Sequence, residues 1–131
     1  MATIKAYTDL EQSKKLAKIL LIESADMHYN NVSIKGINYV DGYRAELMDY
    51  NTVQKVLTKY LVNPMLGIIP CWSLAALLGV IPKIVNNETL FIETSAALWH
   101  IGYRNIYTAR ADNPVDACVA MIEKLHERKI L

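Results

Sequence analysis

Leu90-Phe91-Ile92-Glu93-Thr94, Leu98-Trp99-His100-Ile101-Gly102-Tyr103 and Asn105-Ile106-Tyr107-Thr108-Ala109, followed closely by Asn113-Pro114-Val115-Asp116, make up the stretch on which the fold turns. The first three runs are short and rich in aromatic and β-branched residues. In the middle run Trp99, Ile101 and Tyr103 share a face by period two. They predict a three-stranded meander. Asn113 then offers an N-cap, and Pro114 takes the first helical position, where its missing N–H costs nothing. Asp116 suits the positive end of the helix, and Val115, Cys118, Val119, Ile122 and Leu125 follow at helical spacing as a packing face. Strands followed by an amphipathic helix imply a helix laid on one face of an antiparallel sheet.

Working outward from there, Asn86-Asn87 is a turn. Ser73 is placed to cap a short helix whose inner face is Leu74, Leu77, Leu78 and Ile81, with Trp72 and Leu77 as a hydrophobic staple and Pro82 as the stop. Met65 to Pro70 is expected to be an extended, buried connector. Before it, Asn51 caps a helix with the stripe Val53, Val56, Leu57, Tyr60 and Leu61, which Asn63-Pro64 ends. Val32 and Ile34 alternate with polar neighbours, and Tyr39-Val40 and Tyr43 to Leu47 flank Asp41-Gly42 as a hairpin. Glu23 to Asp26 reads as a loop. The first helix is expected to be capped by Thr8, with Glu11 completing a capping box. Leu10, Leu16, Leu20 and Leu21 lie opposite Lys14, Lys15 and Lys18. The prediction is an α+β fold in a single domain, residues 1–131, with one antiparallel sheet that includes the C-terminal meander and about four helices packed mainly on one face.

Composition narrows the function classes. The chain has 131 residues, 53% of them hydrophobic, and 14 Lys and Arg against 13 Asp and Glu, a net charge of +1. That is a core-forming composition with no general field to draw in nucleic acid or an anionic membrane. Met1 to Leu10 lacks an apolar run, and Met65 to Val80 is interrupted by Gly67, Pro70, Ser73 and Gly79. A cytoplasmic chain with no membrane partner is expected. Gly-rich phosphate loops, His-Glu-x-x-His, Cys-x-x-Cys and Gly-x-Ser-x-Gly are all absent from the sequence.

Three constellations carry chemistry on paper. Cys71 precedes the Ser73 helix start, where a positive helix end favours a thiolate, and His100 lies downstream as a base. The ordinary alternative is a thiol packed as a small hydrophobe beside Trp72. Glu23, Asp26 and His28 gather two carboxylates and an imidazole in a short stretch, against which stands an Asx or Ser turn at Ser24 and Asp26. Trp99, Tyr103 and Tyr107, with Arg104 and Arg110 nearby, supply the stacking and basic groups of a single-strand nucleic-acid binder. One face of any small sheet, however, must hold large apolar residues as core.

Glu11-Gln12-Ser13-Lys14-Lys15-Leu16-Ala17, Glu23-Ser24-Ala25-Asp26-Met27, Trp72-Ser73-Leu74-Ala75-Ala76-Leu77-Leu78 and Ala111-Asp112-Asn113-Pro114-Val115-Asp116-Ala117 occur in that order. Together they resemble a family of small proteins, with no assigned activity, encoded on prophages and other mobile elements of anaerobic gut bacteria. The resemblance spans nearly the whole chain and implies neither a reaction nor a cofactor. From Leu90 to Leu125 the chain is also similar to the HicB-like antitoxin module, a small β-β-β-α core, which implies a binding role.

The reading that follows is a non-enzymatic accessory or interaction protein of a mobile element, without cofactor or metal, that binds a protein partner or itself. Trp72, Trp99, Tyr103, Arg104, Glu23 and Asp26 are its expected interaction surface. The alternative is a small nucleic-acid-associated protein. A third reading is a cysteine-dependent hydrolase using Cys71 and His100.

Overall fold

A computed structural model describes residues 5–31, 43–47 and 68–131. The chain divides into two compact units, one comprising Asp9–Ser73 and the other Met1–Thr8 with Leu74–Leu131. Each holds an antiparallel sheet, so the fold class is α+β with two sheets in place of the single one expected.

In the unit Asp9–Ser73, helix α1 (Leu10–Leu16) opens with Asp9 as N-cap. The Asp9 carboxylate accepts from the Gln12 backbone N–H at 2.8 Å, and the Gln12 side chain accepts from the Asp9 N–H at 3.0 Å. The capping box predicted from Thr8 and Glu11 is therefore shifted by one residue. Both pairs satisfy the spacing rule, and a carboxylate is the stronger acceptor for an orphan N–H. Thr8 is fully buried. A 3-10 turn over Ile22–Ser24 leads into strand β1 (Met27–Asn31), which lies between β2 (Tyr43–Leu47) and β3 (Ile68–Cys71). The register pairs Met27 with Leu47 and Cys71, and Tyr29 with Ala45 and Ile69.

The connector expected at Met65 to Pro70 is, over its described part, an edge strand. Pro70 is tolerated there because an edge strand leaves half of its backbone groups outside the ladder. Period two places Met27 and Tyr29 on one face with Ile69 and Cys71, and Leu10 packs against them. The expected alternation at Val32 and Ile34, the Asp41-Gly42 turn and the helix from Asn51 to Leu61 lie outside the described residues.

The other unit begins its main run with α2 (Leu74–Val80), followed by β4 (Ile84–Val85), β5 (Glu88–Ser95), β6 (Leu98–Tyr103), β7 (Tyr107–Ala111) and α3 (Pro114–Glu127). The sheet order is β4-β5-β6-β7. The expected three-stranded meander is present with a two-residue strand added in front. Its third strand starts at Tyr107 because Asn105, at φ 66°, belongs to the turn. Asn86 and Asn87, both at positive φ, close the β4–β5 hairpin as this turn type requires. Ala96 and Ala97 do the same between β5 and β6 at φ 52° and 63°, where a Cβ is costly.

Helix α3 starts as predicted, with the Asn113 side chain accepting from the Asp116 N–H at 2.8 Å and Pro114 in the first turn. Lys5 pairs with Asp116 at 2.7 Å. Val115, Cys118, Val119, Ile122 and Leu125 are all buried, joined by Ala117 and Met121. Full burial of each large aliphatic side chain contributes about 1.5–3 kcal/mol, so this face anchors α3 on β6, β7 and α2. Among the described residues there are three α-helices, and no helix is long and apolar enough to cross a membrane.

Candidate functional site

The residues singled out from the sequence fall into two groups that belong to different units. In the unit Asp9–Ser73, Trp72 is fully buried and its indole N–H donates to Ser24 Oγ at 2.9 Å. Ser24 in turn donates to the Leu21 carbonyl. Asp26 accepts the Ser73 N–H at 2.9 Å on one carboxylate oxygen and the Ser73 hydroxyl on the other. The run from Ser24 to Asp26 is thus fastened to Trp72-Ser73 by three hydrogen bonds, two of them to a carboxylate and therefore among the stronger kind. Asp26 serves this clasp, Glu23 is exposed beside it, and Trp72 lies in the interior instead of on an interaction surface. His28, 6% exposed on β1, has a buried Nδ1 with no partner. Among the described residues no group of three or more His, Cys, Asp and Glu could hold a metal ion.

Cys71 is fully buried as the last residue of β3, and the helix expected after it begins at Leu74. His100 belongs to the other unit, on β6, with its ring Nε2 3.4 Å from the Ser95 carbonyl.

In the unit Met1–Thr8 with Leu74–Leu131, Tyr103 is fully buried and its hydroxyl donates to the Pro82 carbonyl. Burial raises its pKa. It presents no ring for a base to stack on. Arg104 is exposed, 4.8 Å above the Phe91 ring and 3.6 Å from the Glu93 carboxylate. Arg128 lies 5.2 Å over Tyr107. These cations already have intramolecular partners.

Trp99 is half-buried and lines an apolar cavity of about 120 Å³. Leu74 and Leu78 of α2 form one wall, Ile92, Trp99 and Ile101 of the sheet another, and Pro114, Ala117 and Cys118 of α3 the end, with His100 at the border. Burial pushes the Cys118 thiol up to about 11, so it is protonated and packs as a hydrophobe at neutral pH. Ile92 stands at the mouth, 45% exposed.

Among the described residues the strand that carries Ile92 is only partly covered on its outer side. β4 covers β5 only at Glu88 and Thr89, and the Leu90 N–H still reaches the Lys83 carbonyl at 2.8 Å. From Phe91 to Ser95 no strand lies outside β5 among the described residues. Because Leu90 points its backbone groups outward, alternation directs those of Ile92 and Thr94 outward as well, while Phe91 and Glu93 bond to β6. Among the described residues the arrangement therefore combines a row of outward backbone donors and acceptors with an apolar cavity of about 120 Å³.

Sequence reasoning read Leu90 to Thr94 as a strand but assigned Ile92 no role. A signal was present. Only Lys83, Ile84 and Val85 separate Pro82 from the Asn86-Asn87 turn, so the partner strand cannot extend along the run that ends at Ser95. Leu74 and Leu78, expected on the inner face of their helix, are half-buried at the cavity, whereas Leu77 and Ile81 take the core positions. No family model, no curated protein and no solved structure matches the chain.

Proposed function

We propose that this chain is a non-enzymatic interaction module, an accessory protein of a mobile element, that binds a protein partner at the bare edge of β5 and the cavity beside it. The observation that carries the reading is the position of Ile92. A branched aliphatic side chain, 45% exposed, stands between an apolar cavity and a stretch of sheet edge with no neighbour among the described residues. Edges left open in this way pair with other chains unless charge, proline or a covering element prevents it. Apolar surface beside such an edge supplies the driving force that backbone hydrogen bonds alone lack.

The test is affinity capture from the source organism with the intact chain and with Ile92→Asp, each with and without nuclease. Ile92 is far enough out of the core that the aspartate variant should fold. A protein retained by the natural chain, resistant to nuclease and lost with Ile92→Asp is the expected outcome. Retention abolished by nuclease and indifferent to Ile92→Asp would assign the chain to nucleic acid instead.

A further inference from the structure

We infer that the occupant of this site is an extended peptide segment that adds to β5 as an antiparallel outer strand, presenting an aliphatic residue to the cavity and a lysine or arginine immediately before it. The inference rests on the protein-binding reading of the same site and names the chemistry of the partner.

The argument begins with the backbone. Ile92 and Thr94 each direct an N–H and a C=O outward, two residues apart, which is the spacing of an antiparallel ladder. β4 is antiparallel to β5, and its line ends at Lys83, so an added strand of the same sense takes up the ladder where β4 leaves it. The residue opposite Ile92 then points to the same face as Ile92, over the wall made by Leu74 and Leu78. A cavity of about 120 Å³ takes one branched aliphatic side chain and is too apolar to hold a charged one at acceptable cost.

Charge fixes the neighbouring position. Glu93 alternates to the solvent face of β5, 51% exposed. The residue opposite it precedes the aliphatic one in an antiparallel strand. A cation there shares the Glu93 carboxylate with Arg104, 3.6 Å away, in a cross-strand pair, whereas an acid would meet like charge. Size argues against a stable dimer held by this edge alone. The bare run ends at Ser95, and five extended residues measure about 17 Å. A strand of that length falls well short of the about 800 Å² per partner that stable interfaces bury. A short linear segment fits, with the modest affinity that strand addition confers.

The test titrates the full, nitrogen-15-labelled chain with the peptide acetyl-Thr-Thr-Lys-Leu-Thr-Thr-amide. Expected are saturable amide shifts at Ile92, Thr94, Leu74 and Leu78, with amide exchange at Ile92 and Thr94 slowed at least fivefold. N-methylation of the peptide at its leucine should weaken binding at least tenfold, and leucine to aspartate should abolish it. Glu93→Lys should reverse the preference between this peptide and one with glutamate in place of lysine. Thr94→Pro removes an outward N–H that β6 does not use and should weaken binding at least tenfold. The N-methyl peptide makes the same measurement on the unaltered chain. Binding indifferent to N-methylation would overturn strand addition, as would shifts confined to other surfaces. If no peptide shifts the spectrum while Ile92→Asp still abolishes partner capture, this inference falls and the protein-binding reading stands. If partner capture survives Ile92→Asp, both fall.

Discussion

The two outer edges of the four-stranded sheet differ in how they are finished. Along β7 the outward residues are Thr108 and Arg110. The Thr108 carbonyl accepts from Lys124 Nζ at 2.8 Å, and Arg110 adds an exposed cation to the rim. Lysine and arginine on an edge are the usual means by which a sheet is kept from pairing with another chain. Along β5 beyond Leu90 the outward residues are Ile92 and Thr94, uncharged, with an apolar cavity at one side. Among the described residues this sheet thus has a guarded edge and a bare one.

The largest expected effect breaks the guarded side. A Cβ added at Gly102 would lie 2.2 Å from the Tyr107 carbonyl oxygen, so Gly102→Ala must force β6 and β7 apart. It should cost about 3 kcal/mol, read as a fall in the denaturant midpoint. An unchanged midpoint would mean that β7 is not held as described.

The next effect probes the cavity floor. The Cys118 pKa is raised from 9.0 to about 11, so the folded chain retains a proton that the unfolded chain loses. The stabilisation is complete below the unfolded value and disappears as pH rises through the folded one. Stability should fall by about 2 kcal/mol over this alkaline window, and the component due to the thiol should vanish in Cys118→Ala. The same burial predicts that both Cys118 and Cys71 react with iodoacetamide only after denaturation. Rapid labelling of Cys71 in the native state would restore the nucleophile reading.

A smaller effect concerns the hairpin that carries the bare edge. Ala97 sits at φ 63°, where glycine is unstrained, so Ala97→Gly should stabilise the chain by about 1 kcal/mol in thermal unfolding. The smallest sharpens the contrast itself. Lys124→Met removes the cation from the Thr108 carbonyl and should change stability by no more than about 0.5 kcal/mol. It should nevertheless raise concentration-dependent association in sedimentation. If that variant stays as monodisperse as the natural chain, the lysine is not a guard.

Legibility followed the range of the interactions. The α3 cap at Asn113, the Asn86-Asn87 turn and the shared face of Trp99, Ile101 and Tyr103 were readable because each depends on residues a few positions apart. The α1 cap was misplaced by one residue because Thr8 and Asp9 both satisfy the local rule. The strand at Ile68–Cys71 was read as a connector because its identity depends on β1, distant in the chain. Of the expected interaction surface, Trp72 and Tyr103 proved to be interior, since an aromatic side chain looks the same in sequence whether its polar atom meets water or, as here, Ser24 or Pro82. Trp99 lines the cavity, and Arg104 lies against Glu93.

By itself the amino-acid sequence determined the start of α3, the Asn86-Asn87 turn, the alternation of the meander and the α+β class, all of which local sterics and periodicity dictate. Tertiary structure alone decided that two sheets form, that Asp26 and Ser24 fasten Trp72-Ser73, and that, among the described residues, β5 runs past β4 with Ile92 beside an apolar cavity. The physical reason is that burial, edge exposure and cavities are properties of what a residue fails to meet as much as of what it meets. Such absences arise only when distant segments have taken their places.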